Sequence, residues 1–114
     1  MSTSPQGAFR ALADPTRRQI LMHLSLGDMT IAEVSDHFDM TRAAVKKHLT
    51  VLKEGSLISV HPKGRERINR LEPEGLKTAA DWFTYFDRFW DKNLNKLHTA
   101  IENEQMAQKD TSNE

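Results

Sequence analysis

Residues 30–52 read TIAEVSDHFDMTRAAVKKHLTVL, and they decide the fold. Two short helical patterns share this stretch, each opened by a threonine and joined by the polar corner Asp39-Met40. Thr30 and Glu33 have the S/T-x-x-E spacing of a capping box, and Met29 and Val34 are spaced for a hydrophobic staple. Thr41 is the expected N-cap of the second helix, with Met40 and Val45 repeating the staple spacing. That second helix has two unlike faces. Val45, Leu49 and Leu52 fall on one side with Ala44 and His48. Arg42, Ala43, Lys46, Lys47, Thr50 and Lys53 fall on the other, which carries four cations and no acid. A short supporting helix, a tight corner and a second helix with a bare basic face are the layout of a helix-turn-helix.

Upstream, Met1 to Gly7 is small and polar, expected as a flexible N-terminus over 1–7. Ala8 to Ala13 forms a short helix with Phe9 and Leu12 on one face. Asp14-Pro15 reads as an N-cap followed by an N1 proline. The helix they open, Thr16 to Leu26, turns Ile20, Leu21 and Leu24 inward, and Gly27 is expected to end it as a C′ glycine. Arg17 and Arg18 sit in its first turn, where the helix dipole disfavours cations. Packing by the stem, pairing with Asp14 and reaching a phosphate are all open to them.

Downstream, Gly55 closes the basic helix. The run from Leu57 to His61 is β-prone, Pro62-Lys63-Gly64-Arg65 reads as a turn, and Arg67 to Leu71 returns as an antiparallel partner. A hairpin alone is marginal, so it must lean on the helices, with Leu57, Ile58, Val60 and Leu71 as anchors. Placed after a helix-turn-helix it is a wing, and its tip presents Lys63 and Arg65. From Leu76 the apolar residues are Leu76, Ala79, Phe83, Phe86, Trp90, Leu94, Leu97 and Ile101, a near-heptad seam on one long helix. About 25 residues at 1.5 Å each span about 38 Å, longer than the core of so small a domain needs. An aromatic stripe of this kind, widened by Trp82, Tyr85 and Phe89, is most simply buried by a second copy of the chain. A pocket for a small molecule within that stripe is the competing reading.

The 114 residues allow one domain with an added dimerisation element. The expected division is a DNA-binding core over 8–72, a long dimerisation helix over 73–103 and a frayed tail over 104–114. There are no cysteines, which removes disulfides and thiolate chemistry and fits a cytoplasmic chain. No apolar run is long enough for a membrane span. The net charge is zero, but it is unevenly spread. Residues 41–70 hold eight Lys or Arg against two acids, whereas residues 71–114 hold five against nine. Screening limits a phosphate to the local field, so this basic half matters more than the sum.

These segments resemble the ArsR/SmtB family of winged-helix transcription factors. The resemblance rests on ALADPTRRQILMHL at 11–24, AEVSDHFDMTRAAVKKHLTVLKEGSLI at 32–58 and KGRERINRLEP at 63–73. The closing WF..F..FW at 82–90 looks like the branch without known metal sites, often compared with autorepressors. The resemblance implies a mainly α fold with a small β-hairpin, in the order α-α-α-α-β-β-α, dimerising through its first and last helices. It also implies a reading helix in each major groove and repression by occluding a promoter. Lys46 stands where many members have serine, and Gly55-Ser56 where alanine-glycine is commoner.

The expected partners are double-stranded DNA and a second copy of the chain, with no membrane and an unknown effector. Thr41, Arg42, Ala43, Lys46, Lys47, Thr50, Lys63 and Arg65 are the expected DNA contacts. Arg42 is best placed to reach a guanine edge. Ala43 either touches a thymine methyl or merely permits close approach. Lys46 and Lys47 either read a base or neutralise phosphates. Phe9, Leu12, Phe83, Phe86, Trp90, Leu94 and Leu97 are the expected dimer contacts. No metal or cofactor is expected, because the family's two usual ligand sets have no match here and the five histidines are scattered. No catalytic residue is expected, since no phosphate loop, nucleophile elbow or H-E-x-x-H is present. The alternatives are a metal- or small-molecule-responsive sensor of the same family, and a protein-interaction module that uses the aromatic last helix.

Overall fold

The structure is a computed structural model that describes residues 5–90. Its elements run α1 (Gln6–Leu12), α2 (Pro15–Leu24), β1 (Met29–Thr30), α3 (Ile31–Ser35), α4 (Arg42–Glu54), β2 (Ile58–Lys63), β3 (Glu66–Leu71) and α5 (Pro73–Thr84). Of the described residues, those up to Asp81 form one compact unit, and Trp82 to Trp90 belong to a second.

The N-terminal capping signals in the sequence are all made. Thr30 accepts from the Glu33 backbone N–H, and Glu33 accepts from the Thr30 N–H at 2.9 Å, closing the capping box of α3. Thr41 Oγ1 accepts from Ala44 N–H at 3.1 Å. Asp14 accepts from Arg17 N–H at 3.1 Å, ahead of Pro15 at the start of α2. This hydrogen bond, with the nearby Arg17 and His48 charges, holds the Asp14 carboxyl below its ordinary pKa despite some burial. A depressed folded-state pKa means the stabilisation is complete above the unfolded carboxylate range. It is lost as pH falls through the lower folded value. Asp14→Ala is therefore expected to cost about 1 kcal/mol at neutral pH. The difference from wild type, followed by denaturant titration, should vanish in strong acid.

Several expectations are corrected. Helix α1 begins at Gln6, inside the segment expected to be loose. Helix α2 ends at Leu24 with Ser25 as its C-cap, so Gly27 is not its left-handed C′ residue. Successive turn bonds from Leu26 N–H to His23 and from Gly27 N–H to Leu24 unwind the chain instead. Finally, the β-structure is not a lone hairpin. Strand β3 lies between β2 and β1 in an antiparallel sheet of three strands, with Met29 opposite Asn69 and Thr30 opposite Ile68. The buried Asn69 side chain donates to the Met29 carbonyl at 3.1 Å, anchoring this third strand.

Ile20, Leu21, Leu24, Val34, Val45, Leu49, Leu52, Leu57 and Ile58 form the core, joined by Ala8, Ala11 and Ala79. Helix α1 thus meets the core through alanines, leaving Phe9 and Leu12 half-buried. Its approach to the end of α4 is close: a Cβ on Gly55 would lie 2.6 Å from the Gly7 carbonyl oxygen. The left-handed residue after α4 is Ser56, at φ 62°.

The hairpin register pairs Ile58 with Leu71 and Lys63 with Glu66, so β2 runs through Pro62 and the turn shrinks to Gly64-Arg65. Pro62 is tolerated because β2 is an edge strand. Gly64 supplies the positive φ, 62°, that the tight turn needs.

Helix α5 stops at Thr84, where one long helix was expected. Tyr85 and Phe86 form a turn, with N–H groups bonded to the carbonyls three residues back, before helix resumes at 87–90. A β-branched residue followed by two aromatics has weak helix propensity, which accounts for the interruption. The expected helix over 91–103, the tail and residues Leu94 and Leu97 lie outside the described residues.

Candidate nucleic-acid interface

Helix α4 divides as its sequence requires. Val45, Leu49 and Leu52 are buried, while Arg42, Ala43, Lys46, Lys47, Thr50 and Lys53 are all exposed. Burial of three aliphatic side chains, each contributing about 1.5–3 kcal/mol, fixes the helix's rotation and so aims its basic face outward. Because the Thr41 oxygen already accepts a hydrogen bond as N-cap, its hydroxyl proton remains available to an anion.

The sheet brings the wing against that face. A cleft of about 450 Å³ opens between α4 and the hairpin, with Arg42, Lys46, Thr50 and Lys53 on one wall and Arg65, Glu66 and Arg67 on the other. Leu49, Val60 and Asn69 also line it. Five cations thus line one cleft against a single acid. Of the sequence-predicted residues, Arg42, Lys46, Thr50 and Arg65 meet here. Ala43 and Lys47 lie outside it, in a second depression on α4 shared with Lys46, Thr50 and Val51. Lys63 is exposed beside the hairpin turn and lines neither. Lys53 and Arg67 are additions to the expected set. Lys53 was legible, because it follows Lys46 by seven residues on the same helical face. Arg67 needed the hairpin register.

Several other cations near the helices are engaged. Arg17 Nε donates to the Ala11 carbonyl at 2.8 Å and its Nη2 to the Arg10 carbonyl at 3.0 Å. Arg18 donates to the Leu12 carbonyl at 2.7 Å. These arginines supply donors for carbonyls at the end of α1, a role their own sequence position did not suggest. Arg70 pairs with Asp28 at 2.9 Å. His48 is half-buried, 3.5 Å from Arg17 Nη1 and 4.0 Å from Asp14, as a structural histidine would be.

Two arrangements elsewhere invite a chemical reading. His23 and His37 stack with ring centroids 4.0 Å apart, yet among the described residues no three potential metal ligands gather. Ser59 stands between His61 and Glu72, donating to the carboxylate and meeting the imidazole at 2.7 Å. A nucleophilic triad requires the imidazole between hydroxyl and carboxylate, and here the hydroxyl occupies that place.

The expected dimer contacts divide between α1 and the aromatic segment. Phe83 and Trp90 are about half exposed, at 53% and 51%, and Phe86 is half-buried. Within that segment Trp82 packs on Phe83 and Phe86, with centroids 5.3 and 4.9 Å apart. Among the described residues no helix is long and apolar enough to cross a membrane.

Comparison with known proteins agrees with this geometry. Residues 14–60 match the family model described as bacterial regulatory protein, arsR family. The chain is 39% identical over 106 residues to the HTH-type transcriptional regulator Rv2034 of Mycobacterium tuberculosis, covering 91% of this chain and 96% of that protein. It is 36% identical over 86 residues to the transcriptional repressor SdpR of Bacillus subtilis, covering 75% of this chain and 96% of that one. Among solved structures, the ArsR family transcriptional regulator RHA00566 superposes with a TM-score of 0.68 at 36% identity, covering 75% of this chain and 89% of that one. With its capped helix-turn-helix, winged three-stranded sheet and cationic cleft, the chain belongs to the arsR family of bacterial winged-helix transcriptional regulators.

Proposed function

We propose that the chain is a homodimeric, non-enzymatic repressor that binds a near-palindromic promoter operator, with α4 of each subunit in a major groove and each wing on the flanking backbone. The observation that carries this reading is the cleft, where cations from α4 and the hairpin converge on one side of the molecule. Arg42, in the first turn of α4, reads a guanine edge. Lys46, Lys53, Arg65 and Arg67 neutralise backbone phosphates, and Lys63 extends the wing's reach. Repression follows from occupancy of the promoter, the role that the name of its Bacillus relative carries. The exposed aromatics around Phe83 and Trp90 and, separately, Phe9 and Leu12 of α1 supply contacts to the second copy.

The test is selection of genomic fragments by the purified chain, repeated with Arg42→Ala/Lys46→Ala. A short inverted repeat should be enriched by the wild type and lost by the double variant. Wild-type affinity for that repeat should fall by roughly 10³-fold or more between 50 and 200 mM salt, as expected for about six or more phosphate contacts. Weak enrichment of all fragments, unchanged in the double variant, would show the basic face to be only a solvated surface.

A further inference from the structure

The cleft is one of two features on the exposed side of α4. The other is the depression bounded by Ala43, Lys46, Lys47, Thr50 and Val51, with no wing residue in its lining and lined almost wholly by carbon. It includes none of the wing's cations, and the lysines contribute mainly their aliphatic stems. Thr50 belongs to both features, and its hydroxyl is already committed: Oγ1 donates to the Lys46 carbonyl at 2.9 Å. A hydroxyl has one proton, so Thr50 has no donor left for a base edge. What it adds to the apolar lining of the depression is its γ-methyl group. Val51 is half-buried and packs on the core, which holds the depression's floor in place.

Among the groups a major groove displays, an apolar depression matches one, the 5-methyl of thymine. The depression is bounded by Lys46 and Lys47, cations that bring DNA to α4, so its occupant is a base pair of the bound duplex. We infer that the depression over Ala43, Thr50 and Val51 reads thymine methyl groups in the operator, making Thr50 and Val51 specificity-determining residues. The inference rests on α4 being the operator-reading helix. It splits that helix into a side facing the wing, where Arg42 reads guanine beside the cations that grip the backbone, and a side that selects thymine.

The experiment replaces each operator thymine by deoxyuridine, one position at a time. Base pairing is unchanged and only the methyl is lost. The full-length chain is titrated by fluorescence anisotropy. One or two positions in each half-site should weaken binding about fourfold, the factor that burying one methyl-sized group corresponds to. Thr50→Ser keeps the bond to Lys46 and removes the γ-methyl, so it should bind the thymine and uracil operators more nearly alike at those positions. Thr50→Val keeps the methyl and loses the hydroxyl, so it should retain the discrimination. Both changes are at an exposed site and should leave folding intact. Tight operator binding with no loss at any uracil would overturn methyl reading and leave the repressor reading standing. Equal discrimination by wild type and Thr50→Ser would overturn the role of Thr50. An absence of any preferred operator would overturn the function itself.

Discussion

Gly75→Ala is expected to lower the melting temperature by roughly 10–20 °C. An added Cβ would lie 1.9 Å from the Ser56 carbonyl oxygen and 2.7 Å from its carbon, distances at which backbone must move. Neither side yields readily. Ser56 is held at φ 62°, and the next residue, Leu57, is fully buried. Leu57 also donates to the Leu52 carbonyl at 3.0 Å and accepts from Glu72 N–H at 2.8 Å. On the other side, Gly75 lies in the first turn of α5 with its N–H bonded to the Glu72 carbonyl at 3.1 Å. Overpacking a tight contact costs about 1–3 kcal/mol or more, and backbone against backbone belongs at the upper end. For a domain of this size each kcal/mol is worth about 4–8 °C. Gly27→Ala is the control, because a Cβ there meets nothing within 4 Å. A circular-dichroism melt in which the two variants behave alike would show that the start of α5 adjusts without cost. The site lies at the joint between α4 and the wing. Partial unfolding there should therefore reduce operator binding as well as stability.

Phe83→Glu combined with Trp90→Glu is expected to convert the chain to a monomer and to weaken operator binding by about 10²–10⁴-fold. In a dimer the second half-site is bound intramolecularly, at an effective concentration that multiplies affinity without any new contact. Placing carboxylates on two large aromatic residues, each about half exposed, would oppose burial against another copy while leaving α4 and the wing untouched. Sedimentation velocity and an operator titration on the same samples check both halves of the expectation. A monomeric variant that kept full affinity would mean that each winged helix binds DNA alone. A variant that stayed dimeric would move the interface away from Phe83 and Trp90. Either result would raise the standing of the aromatic segment as a site for a ligand or another protein.

Much of this was open to reading because the deciding signals are short in range. A capping threonine and its glutamate are three residues apart, and the faces of α4 repeat every three or four. The proline after Asp14 constrains its own backbone. Such contacts depend on neighbours in the chain, so Thr30, Glu33, Thr41 and Asp14 act in the structure as their spacing indicates. The same logic misplaced the end of α2, where glycine was given a terminating role that simple turn bonds perform. It also overran Thr84, because a hydrophobic period records which residues share a face and says little about whether the backbone stays helical between them.

The sequence by itself determined the order of the helices and the hairpin, the N-caps of α2, α3 and α4, and the outward set of cations on α4. It also placed the chain in its family, since all of these follow from local geometry and motif spacing. Tertiary structure alone decided the third strand, where Met29 and Asn69 pair across forty positions. It likewise decided the use of Arg17 and Arg18 on the carbonyls of α1, and the contact of Gly75 with Ser56. Above all it decided which cations share a cleft: Arg67 joins Arg42 and Lys46 because the hairpin register folds β3 back beside α4. Distances between residues far apart in the chain are set by how the whole core packs, and no window of a few residues contains that information.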